Sequence, residues 1–471
     1  MIQDELIYQI ETHFGHLPTP EQHAALQTFA TFMTDRDEQV VMVLRGSAGT
    51  GKTTLASAIV RGMLAMKQKL VLMAPTGRAA KVFSNYSGTP AYTIHRRIYR
   101  QKTAADLSAF SLGFNAAQDT LFIVDEASMI ANADTPLLDD LIRFVYNYKN
   151  CRLLLIGDRA QLPPVGEEES PALMAHVLRG YGMKVYEADL TEVLRQAEDS
   201  GILWNATEVR CMMADGRCEL PKIRLDGFPD IVSVPGDELI ESLASSFSHV
   251  GMDETLVVTR SNKRANIYNQ GIRNTVLDRE DELCRGDRIM IVKNNYYWVK
   301  SEGIEGNISF IANGDIAVVQ RVRNVHELYG FRFAEVTMTF PDYEDYELTA
   351  ITLLDTLTTE APALTREQQE QLYTQVMEDY MDVPYKSERL KKLKDDKYYN
   401  ALQIKFAYAA TCHKAQGGQW AHVYIDQGYM TDDMLTPDYF HWLYTALTRA
   451  TEQVFLVNWP KTQVENPSDS Y

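Results

Sequence analysis

Residues 46 to 53 read Gly-Ser-Ala-Gly-Thr-Gly-Lys-Thr, and this stretch decides how the first part of the chain folds. It directly follows the apolar run 40–44, which is typical of a strand buried on both faces. Glycines tolerate the backbone of a tight turn and let N–H groups point at one centre. A buried strand, such a turn and a helix start together predict a cradle for phosphate groups.

Individual positions of this loop have separate expected roles. Lys52 would reach the terminal phosphates, and the hydroxyl of Thr53 would bind Mg²⁺. A glycine-rich turn without a ligand would explain the glycines, but not all eight positions between these flanks. We therefore expect ATP and Mg²⁺ as cofactors. The expected nucleotide-binding residues of the loop are Gly46, Ser47, Ala48, Gly49, Thr50, Gly51, Lys52, Thr53 and Thr54.

Length and composition set the class of protein. A chain of 471 residues is too long for one compact core, so about three or four domains are expected. Its five cysteines lack paired spacing, which favours reduced thiols over a disulfide framework or a zinc site. No signal peptide is evident, and no apolar stretch approaches the roughly 20 residues that span a bilayer. We expect a soluble cytoplasmic protein without a membrane partner.

Charge is distributed unevenly along the chain. The net charge of -18 argues at first against a nucleic-acid partner. However, no acidic residue lies between Glu38 and Asp106, an interval with eleven lysines or arginines. A second acid-free stretch runs from Lys397 to His422. These basic regions on an acidic body indicate that a further anion binds besides the nucleotide.

The hydrophobic pattern predicts two α/β lobes. In the first half, short apolar runs alternate with helical stretches, which is typical of a parallel sheet with ligands beyond its carboxyl edge. The expected strands there are 40–44, 70–74, 121–124 and 153–156. A second set of runs indicates a second lobe in pieces that flank a long insertion. Its expected strands are 255–258, 404–407, 422–425 and 454–457.

The insertion, residues 285–400, has a different character. Short alternating runs around Gly-Asp turns predict a small antiparallel β-barrel. A polar helical stretch follows at 365–393. Its Leu-Lys-Lys-Leu-Lys end is more often a solvated helix face than a binding patch, and both interpretations stay open.

Two further strand ends carry residues suited to phosphoryl transfer. Asp125 and Glu126 follow the apolar run 121–124, so both carboxylates should face the phosphate loop. Asp125 would hold Mg²⁺, and Glu126 would orient and deprotonate the attacking water. Adjacent acidic residues at a strand end also occur in surface turns. The phosphate loop in the same half of the sheet makes this alternative less favoured. Gln161 follows another strand, before a stiff proline pair, and is placed to sense the γ-phosphate or its water.

In order, these motifs resemble those of the superfamily 1 helicases, and in detail the 5′-to-3′ branch, superfamily 1B, with its Dda and RecD-like members. The resemblance covers most of the chain. Besides the phosphate loop, the carboxylate pair and the Gln161 segment, the stretches that carry it are 17–22, 74–80, 93–97, 190–196, 411–417 and 444–450.

The resemblance implies roles in the nucleotide site. Gln22 would read the adenine edge, and Arg195 and Arg449 would reach the γ-phosphate from the opposite lobe. A single arginine is more often a surface ion-pair partner, but two in these motifs favour catalysis. Phosphoryl transfer needs positive charge beside the γ-phosphate, so such a site is complete only when the lobes close. The expected catalytic residues are Lys52, Asp125, Glu126, Gln161, Arg195 and Arg449.

The resemblance also implies a track for single-stranded DNA. A motor that grips any sequence needs phosphate contacts and base stacking. Residues 100–119 occupy the place of a β-hairpin, the pin, that splits the duplex, with Phe110 and Phe114 as candidates for the fork contact. A strand that packs on its own domain is the alternative. The expected DNA-binding residues are Pro75, Thr76, Arg78, Lys81, His95, Thr411, His413 and Lys414.

The predicted fold is therefore α/β, with two RecA-like P-loop lobes built on parallel sheets, an inserted β-hairpin (pin) region and an inserted SH3-like β-barrel with a helical extension. The expected division is 1–85 and 120–189 for the first lobe (1A), 86–119 for the pin region, 190–284 and 401–471 for the second lobe (2A), and 285–400 for the barrel insertion (2B).

We expect a monomeric ATP-dependent DNA helicase that moves 5′-to-3′ on single-stranded DNA and unwinds duplexes at junctions. The resemblance implies work in DNA replication, repair or recombination. Polarity rests on the resemblance alone, and RNA stays open as a substrate. A single-strand translocase or protein-displacing motor with weak unwinding is one alternative. A P-loop nucleotide switch without motor activity is another.

Overall fold

The computed structural model describes residues 2–101, 110–133, 136–193, 199–217, 219–299, 311–431 and 434–465. These residues form two parallel sheets, a closed barrel and a two-stranded hairpin. Within the described ranges, no helix is both long and apolar enough to cross a membrane.

The first lobe is built on a six-stranded parallel sheet. In chain order, the first eight strands are β1 (Val40–Gly46), β2 (Lys69–Ala74), β3 (Ala91–Thr93), β4 (Tyr99–Gln101), β5 (Phe110–Leu112), β6 (Thr120–Val124), β7 (Arg152–Gly157) and β8 (Lys184–Leu190). The sheet has the order β3-β2-β6-β7-β1-β8, and all its described pairs are parallel. Its four predicted strands are confirmed.

Helices cover both faces of this sheet. They are α1 (Ile2–Glu11), α2 (Pro20–Thr34), α3 (Lys52–Ala65), α4 (Gly77–Ser87), α5 (Ile94–Ile98), α6 (Leu137–Tyr146) and α7 (Ala175–Gly180). Along β1, Val41 and Val43 belong to one apolar cluster, whereas Met42 and Leu44 belong to the other. A strand buried on both faces explains why β1 is apolar without alternation.

The described residues of the second half of the chain form ten strands and seven α-helices. The strands are β9 (Ile231–Val234), β10 (Thr255–Thr259), β11 (Arg288–Ile291), β12 (Ile316–Leu328), β13 (Phe331–Phe340), β14 (Tyr346–Leu353), β15 (Leu402–Phe406), β16 (Ala409–Thr411), β17 (Trp420–Asp426) and β18 (Ala450–Val457). The helices are α8 (Gly201–Ala214), α9 (Leu239–His249), α10 (Asn262–Gly271), α11 (Arg366–Glu378), α12 (Lys386–Lys394), α13 (Cys412–Ala415) and α14 (Pro437–Leu447).

The second lobe contains a parallel sheet with the order β16-β10-β17-β18-β9. Helices α8 and α14 pack together on this sheet, and their side chains share one apolar cluster. The strands from the two sides of the insertion are neighbours, since β10 pairs with both β16 and β17. The predicted assembly of this lobe from separated pieces is therefore confirmed.

Strands β11 to β15 close into the predicted barrel, with one correction. We expected the run 404–407 in the second parallel sheet, but β15 pairs antiparallel with β11 and parallel with β14. Every residue of β15 is buried, but its apolar residues Leu402, Ile404 and Phe406 alternate with Gln403 and Lys405. This alternation is typical of a strand with one face in the core, as in a barrel, and not of a strand buried in a parallel sheet. Helices α11 and α12 follow β14 and bury Leu372 and Leu393 against the barrel.

A short antiparallel hairpin stands where the pin region was expected. Strand β4 pairs with β5, and Gln101 lies opposite Phe110. Residues 102–109, between the two strands, lie outside the described residues. Phe114 lies beyond β5, where its ring contacts that of Tyr148 edge-on at 5.8 Å between centroids. The hairpin therefore contains Phe110 and does not contain Phe114.

Candidate active site and nucleic-acid interface

The phosphate loop connects β1 to α3 at the carboxyl edge of the first sheet. Gly49 and Gly51 have φ values of 78° and 75°, in the left-handed region that favours glycine. A Cβ at Gly46 would lie 2.8 Å from Thr50 Oγ1. No described side chain caps the amino end of α3, so its first N–H groups stay available to an anion. Lys52 Nζ donates to the Gly46 carbonyl at 2.6 Å and thus lies over the loop.

The carboxylate pair lies at the same edge, at the end of β6. Asp125 accepts a hydrogen bond on each oxygen, from Tyr86 Oη at 2.5 Å and from the Glu126 N–H at 2.9 Å. Burial raises the pKa of Glu126, whereas the positive charges of Arg449 and Lys52 act against that rise. A carboxylate with a raised pKa beside two cations is suited to accept a proton from water.

The segment after β7 lies between the two lobes. Gln161 is only 5% exposed. The Leu162 N–H donates to Thr445 Oγ1 on α14 at 2.8 Å. Gln416 Nε2, also from the second lobe, donates to the Leu162 carbonyl at 2.8 Å and to Gln161 Oε1 at 3.4 Å. A change in the position of the second lobe would therefore move Gln161 directly.

Arg449 reaches this cleft from the second lobe. Its guanidinium donates three hydrogen bonds within its own lobe. The acceptors are Thr445 O at 3.0 Å, Gly418 O at 3.1 Å and Thr448 Oγ1 at 3.2 Å. A guanidinium has five N–H groups, so two remain for an incoming anion. Arg195, the other expected catalytic arginine, lies outside the described residues.

A cavity of about 790 Å³ joins these groups. Thr53 and Asp125 line it together, and Mg²⁺ is commonly held by one or two carboxylates with the phosphates of its nucleotide. The described residues contain no group of three or more His, Cys, Asp or Glu side chains that could hold a metal ion. The Thr53 hydroxyl and the Asp125 carboxylate at the cavity wall fit a metal that is also held by the phosphates of the nucleotide. Other residues at the cavity wall are Ser47, Gly49, Lys52, Glu126, Gln161 and Arg449.

Gln22 lies behind the phosphate loop and is fully buried. Its Oε1 accepts from the Thr19 N–H at 2.9 Å, which completes a capping box at the start of α2. Its Nε2 donates to the Thr50 carbonyl at 3.3 Å. The amide oxygen thus caps α2 and the amide nitrogen supports the phosphate loop, so the expected contact with adenine would require an exchange of these partners.

The expected DNA-binding residues near α4 contact other parts of the protein. Thr76 accepts from the Ala79 N–H and caps this helix. Arg78 donates to the Gln419 carbonyl at 2.6 Å. Lys81 Nζ lies 2.9 Å from Asp342 Oδ1, in the loop that follows β13 of the barrel. Helix α4 is therefore in contact with both the second lobe and the barrel.

A second group of expected DNA-binding residues lies on the second lobe. Thr411 and Lys414 line a small cleft beside α10. Lys414 Nζ is buried without a hydrogen-bond partner among the described residues, and burial lowers the pKa of Lys414 to about 8. His413 is exposed, while His95 is on the first lobe, where burial lowers its pKa. Pro75 follows β2 at the carboxyl edge of the first sheet.

Three residues of the site were missed from the sequence. Tyr86 was not among the predicted site residues, but its hydroxyl donates a hydrogen bond to Asp125. Tyr444 lies in a recognised motif without a role, and its hydroxyl contacts the phosphate loop. Arg210 lies in no motif, yet its guanidinium donates to Ser47. Only Tyr444 had a signal in the sequence, through its motif.

A phosphate loop, a carboxylate pair and a lobe interface at the carboxyl edge of a parallel sheet define a two-lobed, RecA-like P-loop protein. Two known families match parts of the chain: residues 18–218 match the AAA domain family, and residues 406–457 match the UvrD-like helicase C-terminal domain family.

Relatives of the chain agree with these matches. The chain is 26% identical over 333 residues to the ATP-dependent DNA helicase dda of Enterobacteria phage T4, covering 65% of this chain and 70% of that protein. It is 29% identical over 309 residues to the ATP-dependent RecD2 DNA helicase of Deinococcus radiodurans, covering 62% of this chain and 39% of that protein. These matches support a superfamily 1 helicase that resembles Dda and the RecD-like members.

A solved structure also aligns over most of the chain. It is that of the Pif1 helicase from Bacteroides in complex with ADP-AlF3 and ssDNA, with a TM-score of 0.48 and 16% identity, covering 96% of this chain and 95% of that one.

Proposed function

We propose that this protein is an ATP-dependent DNA helicase that moves 5′-to-3′ along single-stranded DNA and unwinds duplexes. One observation carries the proposal. The cavity that contains the phosphate loop and Arg449 is also lined by Arg78 and Lys81 of α4, so nucleotide and DNA would bind to neighbouring walls. The relatives dda and RecD2 are both named as ATP-dependent DNA helicases, which supports the same activity.

The residues of the cleft suggest how hydrolysis proceeds. Lys52 would leave the Gly46 carbonyl for the phosphates, because a phosphate oxygen is the stronger acceptor for an ammonium group. Thr53 and Asp125 would hold Mg²⁺, which neutralises charge on the phosphates when bound. Glu126 would take the proton of the attacking water, and Arg449 would stabilise the charge that develops on the γ-phosphate.

Contacts between the lobes suggest how hydrolysis becomes movement. Gln161 and Leu162 on one lobe bind Gln416 and Thr445 on the other. Loss of the γ-phosphate would change the position of Gln161 and with it the contact between lobes. Because each lobe carries part of the proposed DNA track, opening and closing would move one grip relative to the other.

The domain division is proposed with two changes. The first lobe comprises residues 1–98 and 120–189, because β3 and α5 belong to it, and the pin region becomes 99–119. The barrel insertion extends from 285 to 406, because β15 closes the barrel. The second lobe comprises 190–284 and 407–471. We propose that a single copy of the chain is the active form, since the whole cleft is built within one chain.

The decisive test compares unwinding of 5′-tailed and 3′-tailed DNA duplexes with ATP, alongside ATPase activity with and without single-stranded DNA. We expect stimulated ATPase and separation of the 5′-tailed duplex, with both lost in Lys52→Ala. If only the 3′-tailed duplex is unwound, the protein moves 3′-to-5′ and the proposed polarity is wrong. Stimulation without strand separation would favour a translocase, and an ATPase that ignores DNA would favour a nucleotide switch. The same assay with RNA tails in place of DNA tails tests whether RNA is also a substrate.

A further inference from the structure

One hydroxyl group joins three elements at the lobe interface. Tyr444 lies on α14 with its ring in the apolar core of the second lobe, and it is 1% exposed. Its hydroxyl accepts from the Ala48 N–H in the phosphate loop at 2.8 Å. The same hydroxyl donates to Asp158 Oδ2, directly after β7, at 2.5 Å. The second lobe thus holds the phosphate loop and the Gln161 segment through one atom.

A second side chain from the same lobe contacts the neighbouring residue of the loop. Arg210 of α8 donates through Nη1 to Ser47 Oγ at 2.6 Å. The same helix lies close to the loop, since a Cβ at Gly49 would be 3.4 Å from the methyl groups of Leu203. Val209 of α8 belongs to the same core cluster as Tyr444, so α8 and α14 form one packed unit.

These contacts divide the phosphate loop into two parts. Lys52 and Thr53, at its carboxyl end, are the residues expected to meet the phosphates and the metal. Ser47 and Ala48, at its amino end, are bound by the second lobe. A movement of that lobe can therefore change the shape of the amino end of the loop, while Lys52 and Thr53 keep their expected contacts with the phosphates and the metal.

We propose that Tyr444 and Arg210 are positioning residues that form an interlobe latch on Ser47 and Ala48, through which the second lobe sets the rate of ATP hydrolysis. The proposal rests on the helicase function proposed above. When DNA shifts the second lobe, the latch moves the loop and the Gln161 segment together. The latch acts on turnover of bound ATP more than on its affinity, because neither residue is among those expected to touch the nucleotide.

Helix α14 provides a matched control. Tyr439 is also buried in the same core, and its hydroxyl donates to Gln427 Oε1 at 2.8 Å, within the second lobe. Tyr444→Phe and Tyr439→Phe each remove one buried hydroxyl from one helix. Only the first removes a contact between the lobes, so a difference between the two variants reports the latch and not a general loss of stability.

The first measurement is hydrogen–deuterium exchange of peptides that cover residues 46–53, on the full chain without nucleotide. We expect exchange at Ala48 to accelerate about tenfold in Tyr444→Phe, which is the effect of losing one hydrogen bond of ordinary strength, and to stay unchanged in Tyr439→Phe. Equal exchange in the two variants would overturn the latch. This result does not depend on whether the protein is a helicase.

The second measurement is the ratio of ATPase turnover with and without single-stranded DNA. We expect this ratio to fall about tenfold in Tyr444→Phe, as expected for one lost hydrogen bond to a charged group, while KM for ATP stays within about twofold. An unchanged ratio, or a KM that rises in proportion, would overturn the proposal. A wild-type enzyme that ignores DNA would instead contradict the proposed function, and the exchange result would stand separately.

Arg210 provides an independent variant if Tyr444→Phe does not fold. Its side chain is only partly buried, so Arg210→Gln should leave folding intact. We expect the same loss of DNA stimulation from Arg210→Gln and partial recovery in Arg210→Lys, which keeps a cation within reach of Ser47. Full stimulation in Arg210→Gln would contradict the role of Arg210 in the latch.

Discussion

The hydroxyl of Tyr86 donates a hydrogen bond of 2.5 Å to Asp125 Oδ2, the carboxylate that we propose as a ligand of Mg²⁺. Tyr86 lies on α4, whose amino end carries Arg78 and Lys81. The helix that is proposed to contact DNA therefore also touches the proposed metal ligand. Partners of metal-binding carboxylates fix their orientation, and their loss weakens metal binding by about 10- to 100-fold.

Tyr86→Phe should therefore raise the Mg²⁺ concentration that gives half-maximal ATPase activity, by about tenfold. The ring remains, so its contact with Phe83, at 5.2 Å between centroids, is preserved. Tyr146→Phe is the control, because this buried tyrosine of the same lobe donates to the Val40 carbonyl, away from the cleft. An Mg²⁺ requirement that is unchanged in Tyr86→Phe would show that the hydroxyl does not orient Asp125.

The ion pair between Lys81 and Asp342 predicts competition between the barrel and DNA. The two charged atoms are 2.9 Å apart, and the Asp342 side chain is 7% exposed. If Lys81 binds a phosphate of DNA, its ion pair with the Asp342 carboxylate must first break. Asp342→Asn should therefore tighten binding of single-stranded DNA at low salt. The slope of log affinity against log salt should become steeper by about 0.7, the value for one additional phosphate contact on a single strand.

Asp345→Asn provides the control for this experiment. Asp345 is exposed in the same loop region, and the change in net charge is identical. Binding should be measured by fluorescence anisotropy of a labelled oligonucleotide over a range of salt concentrations. Equal tightening in the two variants would mean that Asp342 acts through long-range charge and not through Lys81.

Asp315 makes the stability of the folded protein depend on pH. Burial raises the pKa of Asp315 from its ordinary 3.8 to about 7, although the Ala312 N–H and Tyr343 hydroxyl donate to it. The folded state thus binds a proton more tightly than the unfolded state. The contribution of Asp315 to the free energy of unfolding must therefore fall as pH rises from about 4 to 7.

Asp315→Asn removes this dependence, because the amide carries no charge at any of these pH values. The variant should gain stability relative to the wild type as pH rises, by about 3 kcal/mol between pH 4 and pH 7. Thermal or denaturant unfolding of both proteins across this range measures the difference. A difference that is constant with pH, or that favours the wild type at pH 7, would contradict the raised pKa.

The sequence predicted those parts of the molecule that depend on neighbouring residues. The order β1, phosphate loop and α3 follows from a buried strand and a glycine turn. The placement of Asp125 and Gln161 follows because parallel strands end at one edge of a sheet. Contacts between distant residues had no such signal. The Tyr444 hydroxyl and the Ala48 N–H are separated by 396 positions, and only the packing of the two lobes brings them together.

Two differences between the predicted and the observed structure have local physical reasons. Strand β15 was placed in the wrong sheet because the prediction treated residues 404–407 as a continuous apolar run, whereas Ile404 and Phe406 alternate with Gln403 and Lys405 as in a strand with one core-facing side. Gln22 was expected to face the nucleotide, but in a Thr-x-x-Gln capping box its amide binds the start of its own helix. The motif places Gln22 beside the phosphate loop, while helix capping determines where its side chain points.

The hairpin separates the two pin candidates. Phe110 is in β5, opposite Gln101 of β4, whereas Phe114 lies outside the hairpin and is 69% exposed beside Tyr148. If the hairpin splits the duplex, Phe110→Ala should lower unwinding of a 5′-tailed duplex by about tenfold or more, since stacking on a base is worth about 1–3 kcal/mol. ATPase stimulation by single-stranded DNA should stay unchanged, because the hairpin is not part of the nucleotide cleft.

The control variant, Phe114→Ala, should unwind the duplex like the wild type. Loss of unwinding in Phe114→Ala alone would place the fork at the Tyr148 surface instead of at the hairpin.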